Sequence, residues 1–279
     1  MGDNRRSDSP DLLLEPHRLD ISRLTLVRFH DRRFLIMHRS VASSRSVAAS
    51  TPANTRIYAV GDIHGRADLL SDIIARIDDD IQRRPIAHTA EVYLGDYIDR
   101  GPDSRTVLDL LAIRLVSNGA VCLRGNHEAV MEGFLQDPAV LPHWLQLGGL
   151  HTLASYGIEL DDDTETAAAL QRRFIDAFPR EHELVMQCLR HQFSCGDFLF
   201  VHAGIRPDIP IEHQDINDLI WIRDEFLDSN RKHERFVVHG HTPVPHPDIR
   251  HNRINIDTCA WRTGTLSCIV IEGSTILFL

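Results

Sequence analysis

The sequence predicts an α/β fold in which helices are layered on β-sheets, and three observations lead to that prediction. From residue 56 onward, short β-branched runs alternate with amphipathic segments, as they do in strand–helix–strand units. Each of the early runs ends in a turn that contains glycine. The last third of the chain consists mostly of short strand-like runs separated by turn residues, which favours a second, partly antiparallel sheet stacked on the first.

The first half of the predicted domain contains three strands and two helices. Strands are expected at 57–60, 92–94 and 120–123, because each is a short apolar run that ends at a polar turn. A helix is expected at 68–84, where leucine and isoleucine recur on one helical face. A second helix is expected at 103–117, which lies between a proline and an Asn-Gly stop signal.

The second half begins with a predicted helical insertion at about 131–195 and continues with strands. Four strand-like runs follow the insertion, at 198–201, 235–238, 253–256 and 266–271. Turn residues separate these runs, and helical patterns between them are few. We therefore expect the four runs to form the second sheet.

The first 55 residues are predicted to be a flexible extension. The stretch from 39 to 55 is rich in Ser, Ala and Thr and has no apolar periodicity, so it cannot bury enough surface to offset the entropy of ordering. The folded domain would then span residues 56–279. Met37 is an equally good candidate for the true start of translation.

The composition disfavours several classes of protein. Acidic residues outnumber basic residues by 40 to 30, and the resulting charge of −10 disfavours binding to nucleic acid or to an anionic membrane. The 5 cysteines show no CxxC spacing, which disfavours a disulfide framework and a zinc ribbon. No apolar stretch approaches the roughly 18 residues of a membrane span. We expect a cytoplasmic protein that binds neither nucleic acid nor membrane; its oligomeric state is left open.

Five polar clusters follow predicted strands, and each contains glycine. They are GDIHG at 61–65, GDYIDRG at 95–101, GNHE at 125–128, HAG at 202–204 and HGHT at 239–242. Because open α/β sheets place ligand sites outside the carboxyl ends of their strands, we expect the clusters to converge. Carboxylate, imidazole and amide oxygen are ligands of divalent metals, and so many of them exceed one tetrahedral site. The prediction is a binuclear centre with a bridging carboxylate.

Taken singly, each cluster has a structural explanation. An Asp-x-His sequence after a strand commonly forms a turn and a helix cap, and an adjacent Asp-Arg is commonly a surface ion pair of little energetic value. The conjunction of five such clusters in one chain is what favours a functional site. The sequence contains no competing P-loop, GxGxxG, GxSxG or HExxH motif.

The order of these five motifs resembles the phosphoprotein phosphatase family of calcineurin-like metallophosphoesterases, especially its bacterial and phage serine/threonine protein phosphatases. The resemblance spans residues 57–279 and implies a four-layer sandwich of two stacked mixed β-sheets flanked by helices. Relatives that hydrolyse diadenosine polyphosphates share GDxHG and GNH motifs but usually lack the Asp-Arg found here at 99–100. The segment 131–195 does not match the eukaryotic phosphatases, so no peptide preference is implied.

The resemblance implies two divalent metal ions and six metal ligands. Manganese is the expected metal, with iron or zinc as alternatives. Two such cations can activate a bridging hydroxide for direct in-line attack on phosphorus. The first metal would be held by Asp62, His64 and Asp96, and the second by Asp96, Asn126, His202 and His241, so that Asp96 is the bridge.

Four more residues have catalytic roles by the same resemblance. His127 would donate a proton to the leaving alkoxide, and Asp99 would hold its other nitrogen. Arg100 and Arg223 would bind the phosphate through paired hydrogen bonds. The expected activity is removal of phosphate from phosphoserine and phosphothreonine in proteins. The alternatives are hydrolysis of diadenosine polyphosphates or other small phosphoesters, and a non-catalytic protein that kept the fold; the complete ligand set disfavours the last.

Overall fold

Eleven strands and ten α-helices are found in residues 44–160 and 165–279, the part of the chain that the computed structural model describes. The strands are β1 (Arg45–Ser46), β2 (Thr55–Val60), β3 (His88–Tyr93), β4 (Val121–Cys122), β5 (Gln192–Cys195), β6 (Phe198–Val201), β7 (Phe236–His239), β8 (Asp248–Ile249), β9 (Arg253–Asn255), β10 (Cys268–Glu272) and β11 (Thr275–Phe278). The helices are α1 (Ala67–Arg83), α2 (Ser104–Asn118), α3 (Asn126–Gln136), α4 (Leu141–Leu147), α5 (Gly149–Ser155), α6 (Ala167–Ala177), α7 (Arg180–Cys188), α8 (Ile216–Trp221), α9 (Asp224–Leu227) and α10 (Ala260–Thr263). Two 3₁₀ turns lie at Pro138–Val140 and Ile211–His213.

The strands form two mixed sheets. The first has the order β1-β11-β10-β2-β3-β4, in which β2, β3 and β4 are parallel and the other pairings are antiparallel. The second has the order β5-β6-β7-β9-β8, in which β6, β7 and β9 are parallel. Parallel strands in both sheets direct their carboxyl ends toward a common edge, and that arrangement positions the candidate site.

Alternating side chains of the strands define the layers. In β2, Tyr58 faces a core shared with the large helices, whereas Ile57 faces a core shared with the second sheet. In β6, Phe200 faces the first sheet and Leu199 faces a third core that includes Phe226 of α9. The order is therefore helices, first sheet, second sheet, helices. The predicted sandwich of two stacked mixed sheets flanked by helices is confirmed.

One predicted strand belongs to a different sheet from the one expected. The run at 266–271, assigned from the sequence to the second sheet, contains most of β10, which pairs antiparallel with β2 in the centre of the first sheet. The chain leaves the second sheet after β9 and returns through α10. The sequence prediction was wrong here because a short apolar strand has no local feature that selects its partner.

The folded region also begins earlier than predicted. Residues 44–55 were included in the flexible extension, but β1 pairs with β11 and the backbone N–H of Thr51 donates to the carbonyl of Gly273. These backbone pairings order a segment that has little apolar surface of its own. Residues 1–43 of the predicted extension, with the alternative start Met37, lie outside the described residues.

The predicted insertion at 131–195 is helical over most of its described length. It contains most of α3 and all of α4 to α7, but its last four residues form β5, an edge strand of the second sheet. Phe134 and Trp144 from this segment are fully buried in the core beneath the first sheet. The segment is therefore part of the main core. Among the described residues, no helix combines the length and the apolarity needed to cross a bilayer.

Candidate metal centre

The six predicted metal ligands lie together at the edge where the parallel strands end. Each one follows a strand within a few residues, and each one is buried. They come from both sheets: Asp62 and His64 follow β2, Asp96 follows β3, Asn126 follows β4, His202 follows β6 and His241 follows β7. The β-strand scaffold thus brings residues separated by up to 179 positions into hydrogen-bond contact, as in the bond from the His241 backbone N–H to the Asp62 carboxylate.

One group of potential ligand atoms surrounds His202. Its Nε2 lies 3.1 Å from Asn126 Oδ1, 3.2 Å from His241 Nδ1 and 3.3 Å from Asp96 Oδ1. Its Nδ1 lies 2.9 Å from the carbonyl of Leu94 and donates to it. A neutral imidazole has one N–H, so Nε2 presents a lone pair to oxygen atoms that also carry lone pairs. This group fits a cation placed among its members.

A second group lies on the other side of Asp96. His64 Nε2 is 3.5 Å from Asp96 Oδ2, and His127 Nε2 is 3.8 Å from the same oxygen. The His64 Nδ1–H donates to the carbonyl of Ile98 at 2.8 Å, so Nε2 carries the lone pair that a metal would bind. Asp96 is therefore shared by the two groups, one oxygen facing each.

The geometry differs from the predicted ligand set in one respect. The donor atoms that cluster with Asp96 on the His64 side come from His64 and His127, whereas the sequence assigned Asp62 to that metal. Asp62 accepts a hydrogen bond from the backbone N–H of His241 at 3.0 Å, which places it beside the group around His202. His127 Nε2 is buried and has no hydrogen-bond partner among the described residues.

Burial raises the pKa of two carboxyl groups at the site. Burial, together with Asp257 and Asp96, raises the pKa of Asp62 well above its usual range. Burial is also the main cause that raises the pKa of Asp257 to about 6. Divalent cations would compensate these buried charges, so the donor set fits the two metal ions that the sequence implies.

The histidines of the site are held in the form that binds metal. Burial lowers the pKa of His64 well below its usual value and lowers that of His202. Burial, with the nearby His202 ring, lowers the pKa of His241 to about 2. A metal ligand must be a neutral imidazole, and all three side chains are neutral near pH 7.

Backbone strain is concentrated at this site. Five predicted site residues adopt a left-handed backbone conformation that residues other than glycine rarely use. Their φ angles are 46° at His64, 52° at Asp96, 71° at Asp99, 66° at Arg100 and 66° at His241. This conformation lets the backbone turn sharply after each strand, so that a polar side chain points into the centre.

Asp99 and His127 form the buried pair that the sequence predicts. His127 Nδ1 lies 2.7 Å from Asp99 Oδ2. Burial lowers the pKa of His127, but the carboxylates of Asp96 and Asp99 outweigh it, so the pKa lies above its ordinary value. Trp144 Nε1–H donates to Asp99 at 3.1 Å, and the Thr152 hydroxyl donates at 2.6 Å. These two side chains orient Asp99 toward His127.

The two predicted phosphate-binding arginines lie on opposite sides of the centre. Arg100 places an N–H group 3.0 Å from His64 Nε2. Arg223, which precedes α9, donates to the hydroxyl of Thr242 at 3.1 Å, next to His241. A guanidinium therefore stands beside each group of ligands.

Sequence reasoning missed three polar residues of the site. Asp257 follows β9 and is buried near Asp62 and Asp96, but no glycine accompanies it to mark the strand end. Trp144 and Thr152 belong to α4 and α5 of the helical segment and show no motif. The position of Asp257 after a predicted strand was the one available signal, whereas the other two could be located only in the folded chain.

Comparison with known proteins gives a family and several relatives. The sequence profile of the calcineurin-like phosphoesterase family matches residues 55–263. The chain is 25% identical over 228 residues to the asymmetrical bis(5′-nucleosyl)-tetraphosphatase PrpE of Halalkalibacterium halodurans, and the match covers 75% of this chain and 87% of that protein. The structure is also similar to that of a candidate diadenosine tetraphosphatase, with a TM-score of 0.55, 21% identity and coverage of 84% and 97% of the two chains.

A cold-active protein tyrosine phosphatase has a similar fold. Its TM-score is 0.54 at 15% identity, and the match covers 80% of this chain and 77% of that chain. At this level of identity both structural matches show the fold alone.

Proposed function

This chain belongs to the calcineurin-like phosphoesterase family, and we propose that it is a metal-dependent hydrolase that cleaves dinucleoside tetraphosphates asymmetrically. The observation that carries hydrolysis of a phosphorus–oxygen bond is the pair of ligand groups sharing Asp96. The choice of substrate is supported by relatives that act on bis(5′-nucleosyl) tetraphosphates. These relatives favour the nucleotide alternative over the phosphoprotein substrate that the sequence motifs favoured.

Six side chains would hold the metals and two would bind the substrate. The ligands are those predicted: Asp62, His64, Asp96, Asn126, His202 and His241. Two bound cations would supply an activated water and neutralise phosphoryl charge. Arg100 and Arg223 would each bind phosphoryl oxygens on one side of the centre, as the planar guanidinium suits.

His127 would hold a proton for the leaving group. Its Nδ1 contacts Asp99, so a proton on Nε2 points into the centre. In asymmetric cleavage, water adds to a terminal phosphorus of the tetraphosphate, one P–O–P bond breaks, and a nucleoside monophosphate and a nucleoside triphosphate leave. Manganese as the preferred metal and the cytoplasm as the location stay predictions from the sequence.

A phosphoserine and phosphothreonine phosphatase is the second candidate. The buried pair of His127 and Asp99 favours it, because an alkoxide is a much stronger base than a leaving phosphate and gains more from a proton donor. This pair would be less necessary for a phosphoanhydride.

A direct comparison of substrates tests the proposal. The full chain with added Mn²⁺ is expected to convert a dinucleoside tetraphosphate into equal amounts of nucleoside tri- and monophosphate, measured by chromatography, with a higher kcat/KM than for a phosphopeptide. Asp96→Asn should abolish turnover, whereas Asp72→Asn, the same change at an exposed position of α1, should not. Turnover of the phosphopeptide without the nucleotide would establish the second candidate instead.

A further inference from the structure

Two of the 3 tryptophans lie partly exposed beside the candidate metal centre. Trp144 is fully buried and donates to Asp99, as described above. Trp221 and Trp261 are each 37% exposed, although tryptophan is among the side chains that gain most from burial. Packing in the core therefore does not explain why tryptophan occupies these two positions beside the site.

Trp261 lies on the His64 side of the centre. It belongs to α10, and the guanidinium carbon of Arg100 lies over its ring at 5.9 Å from the centroid. Arg100 in turn reaches His64 Nε2 at 3.0 Å. The ring, the guanidinium and the ligand therefore follow one another from the surface inward.

Trp221 occupies the corresponding place on the other side. It is the last residue of α8, and its ring stands perpendicular to that of His241, with centroids 6.1 Å apart. Arg223 follows two residues later and donates to Thr242. Each ligand group thus has one arginine and one exposed tryptophan at its outer side.

The core does not require either indole ring. Helix α8 contributes Leu219 and Ile220 to the core around Phe226, and α10 contributes Ala260 to the core beneath the first sheet. Both tryptophans lie outside these buried clusters. The exposed part of each ring could therefore contact a ligand, although Arg100 lies over one face of Trp261.

We propose that Trp221 and Trp261 stack the two nucleobases of the substrate, one on each side of the centre; this inference rests on the proposed function. A nucleotide combines a planar base with a charged phosphate, and each side of the site combines a planar indole with a guanidinium. Stacking on an aromatic side chain tolerates any base, because every base has a π face. A phosphopeptide offers no planar group on both sides of its phosphate.

A matched pair of ligands tests the stacking without relying on turnover. AMP and ribose 5-phosphate carry the same phosphate and ribose, and they differ in the base. Binding of each to the Mn²⁺-loaded full chain would be measured by calorimetry. The wild type is expected to bind AMP roughly tenfold more tightly, and the double variant Trp221→Ala/Trp261→Ala should lose that preference.

Two control variants separate stacking from loss of structure. Replacing both tryptophans with Phe keeps an aromatic face and should keep most of the preference for AMP. Val116→Ala removes apolar surface from an 84% exposed position of α2 and should leave the preference unchanged. Circular dichroism and metal content would be compared for all variants. A double alanine variant that still prefers AMP by the wild-type ratio overturns the inference, and so does a wild type that binds the two ligands equally.

Kinetics with the dinucleoside tetraphosphate then show whether each tryptophan by itself contributes to binding of a base. Each single alanine variant should reduce kcat/KM for the nucleotide roughly tenfold relative to kcat/KM for inorganic tripolyphosphate, mainly through KM. A tryptophan whose loss changes both substrates equally is not a stacking surface. A wild type that prefers AMP but cannot cleave the dinucleoside tetraphosphate would refute the proposed reaction while supporting nucleotide binding, so the two failures are distinguishable.

Discussion

At the scale of single residues, His127 has the two contacts that a proton donor needs. Asp99 holds its Nδ1 at 2.7 Å, and its Nε2 is buried near Asp96 without a hydrogen-bond partner among the described residues. The donors Trp144 and Thr152 keep Asp99 in place. A proton on His127 is therefore stabilised by two carboxylates, and Nε2 is the ring nitrogen that Asp99 does not engage.

If His127 donates a proton to the leaving group, the effect of replacing it should depend on how basic the leaving group is. His127→Ala should lower kcat for an alkyl phosphate by roughly a hundredfold, because its alkoxide needs a proton, and should affect p-nitrophenyl phosphate much less. Initial rates with both substrates check this. His143→Ala, a change at an exposed histidine of α4, should affect neither. Equal losses on both substrates would mean that His127 does not act as the acid.

At the scale of elements, the loops after the strands approach one another so closely that glycine is required. A Cβ at Gly240 would lie 2.0 Å from Asp62 Oδ1, and one at Gly125 would lie 2.2 Å from Asp96 Oδ1. Both glycines follow strands, and each lies against a carboxylate that is held by another strand. The glycines of the motifs thus set the spacing between elements.

Alanine at one of these glycines should displace a metal ligand. Gly240→Ala is expected to weaken Mn²⁺ binding by tenfold or more, measured by calorimetry, because the new methyl group must move Asp62. The matched control is Gly133→Ala in α3, where the Cβ would meet Val140 at an ordinary 3.6 Å. That variant should bind metal normally and unfold with a free energy about 0.5–1 kcal/mol higher. Normal metal binding by Gly240→Ala would show that Asp62 is not a ligand.

At the scale of the whole molecule, the metal centre joins the two sheets. Asp62 follows β2 of the first sheet and His241 follows β7 of the second, and a hydrogen bond links them. Burial of Asp62 and Asp257, together with the repulsion between each of them and Asp96, raises the pKa values of both carboxyl groups. Metal binding should therefore stabilise the fold as well as support catalysis.

Removal of metal should lower thermal stability. At a metal concentration about a hundredfold above Kd, the wild type should melt roughly 5–10 °C higher than in chelator. Asp62→Asn should melt higher than the wild type in chelator, because a buried charge is removed, and should gain less from Mn²⁺. Asp72→Asn provides the matched surface control. If Asp62→Asn lowers the melting temperature in chelator and keeps the full metal response, the buried Asp62 carboxylate does not destabilise the metal-free protein.

Much of the fold and the gathering of the candidate ligands could be predicted because the information is local. Apolar runs that end in glycine and a polar residue marked β2, β3, β4, β6 and β7, and the residues after them form the centre. The placement of β10 could not be predicted in this way, since its pairing with β2 joins residues about 210 positions apart and depends on the whole sheet.

The sequence by itself indicated seven of the eleven strands found in the described residues and the first two helices, together with the six candidate ligands and the pair of His127 and Asp99. These candidate residues could be found because each lies in a short motif whose turn requires glycine or a polar residue. The tertiary structure decided what surrounds them. Trp144 and Thr152 orient Asp99, Asp257 adds a further buried carboxylate, and Trp221 and Trp261 are partly exposed beside the centre. These residues carry no motif, and packing alone brings them to the site.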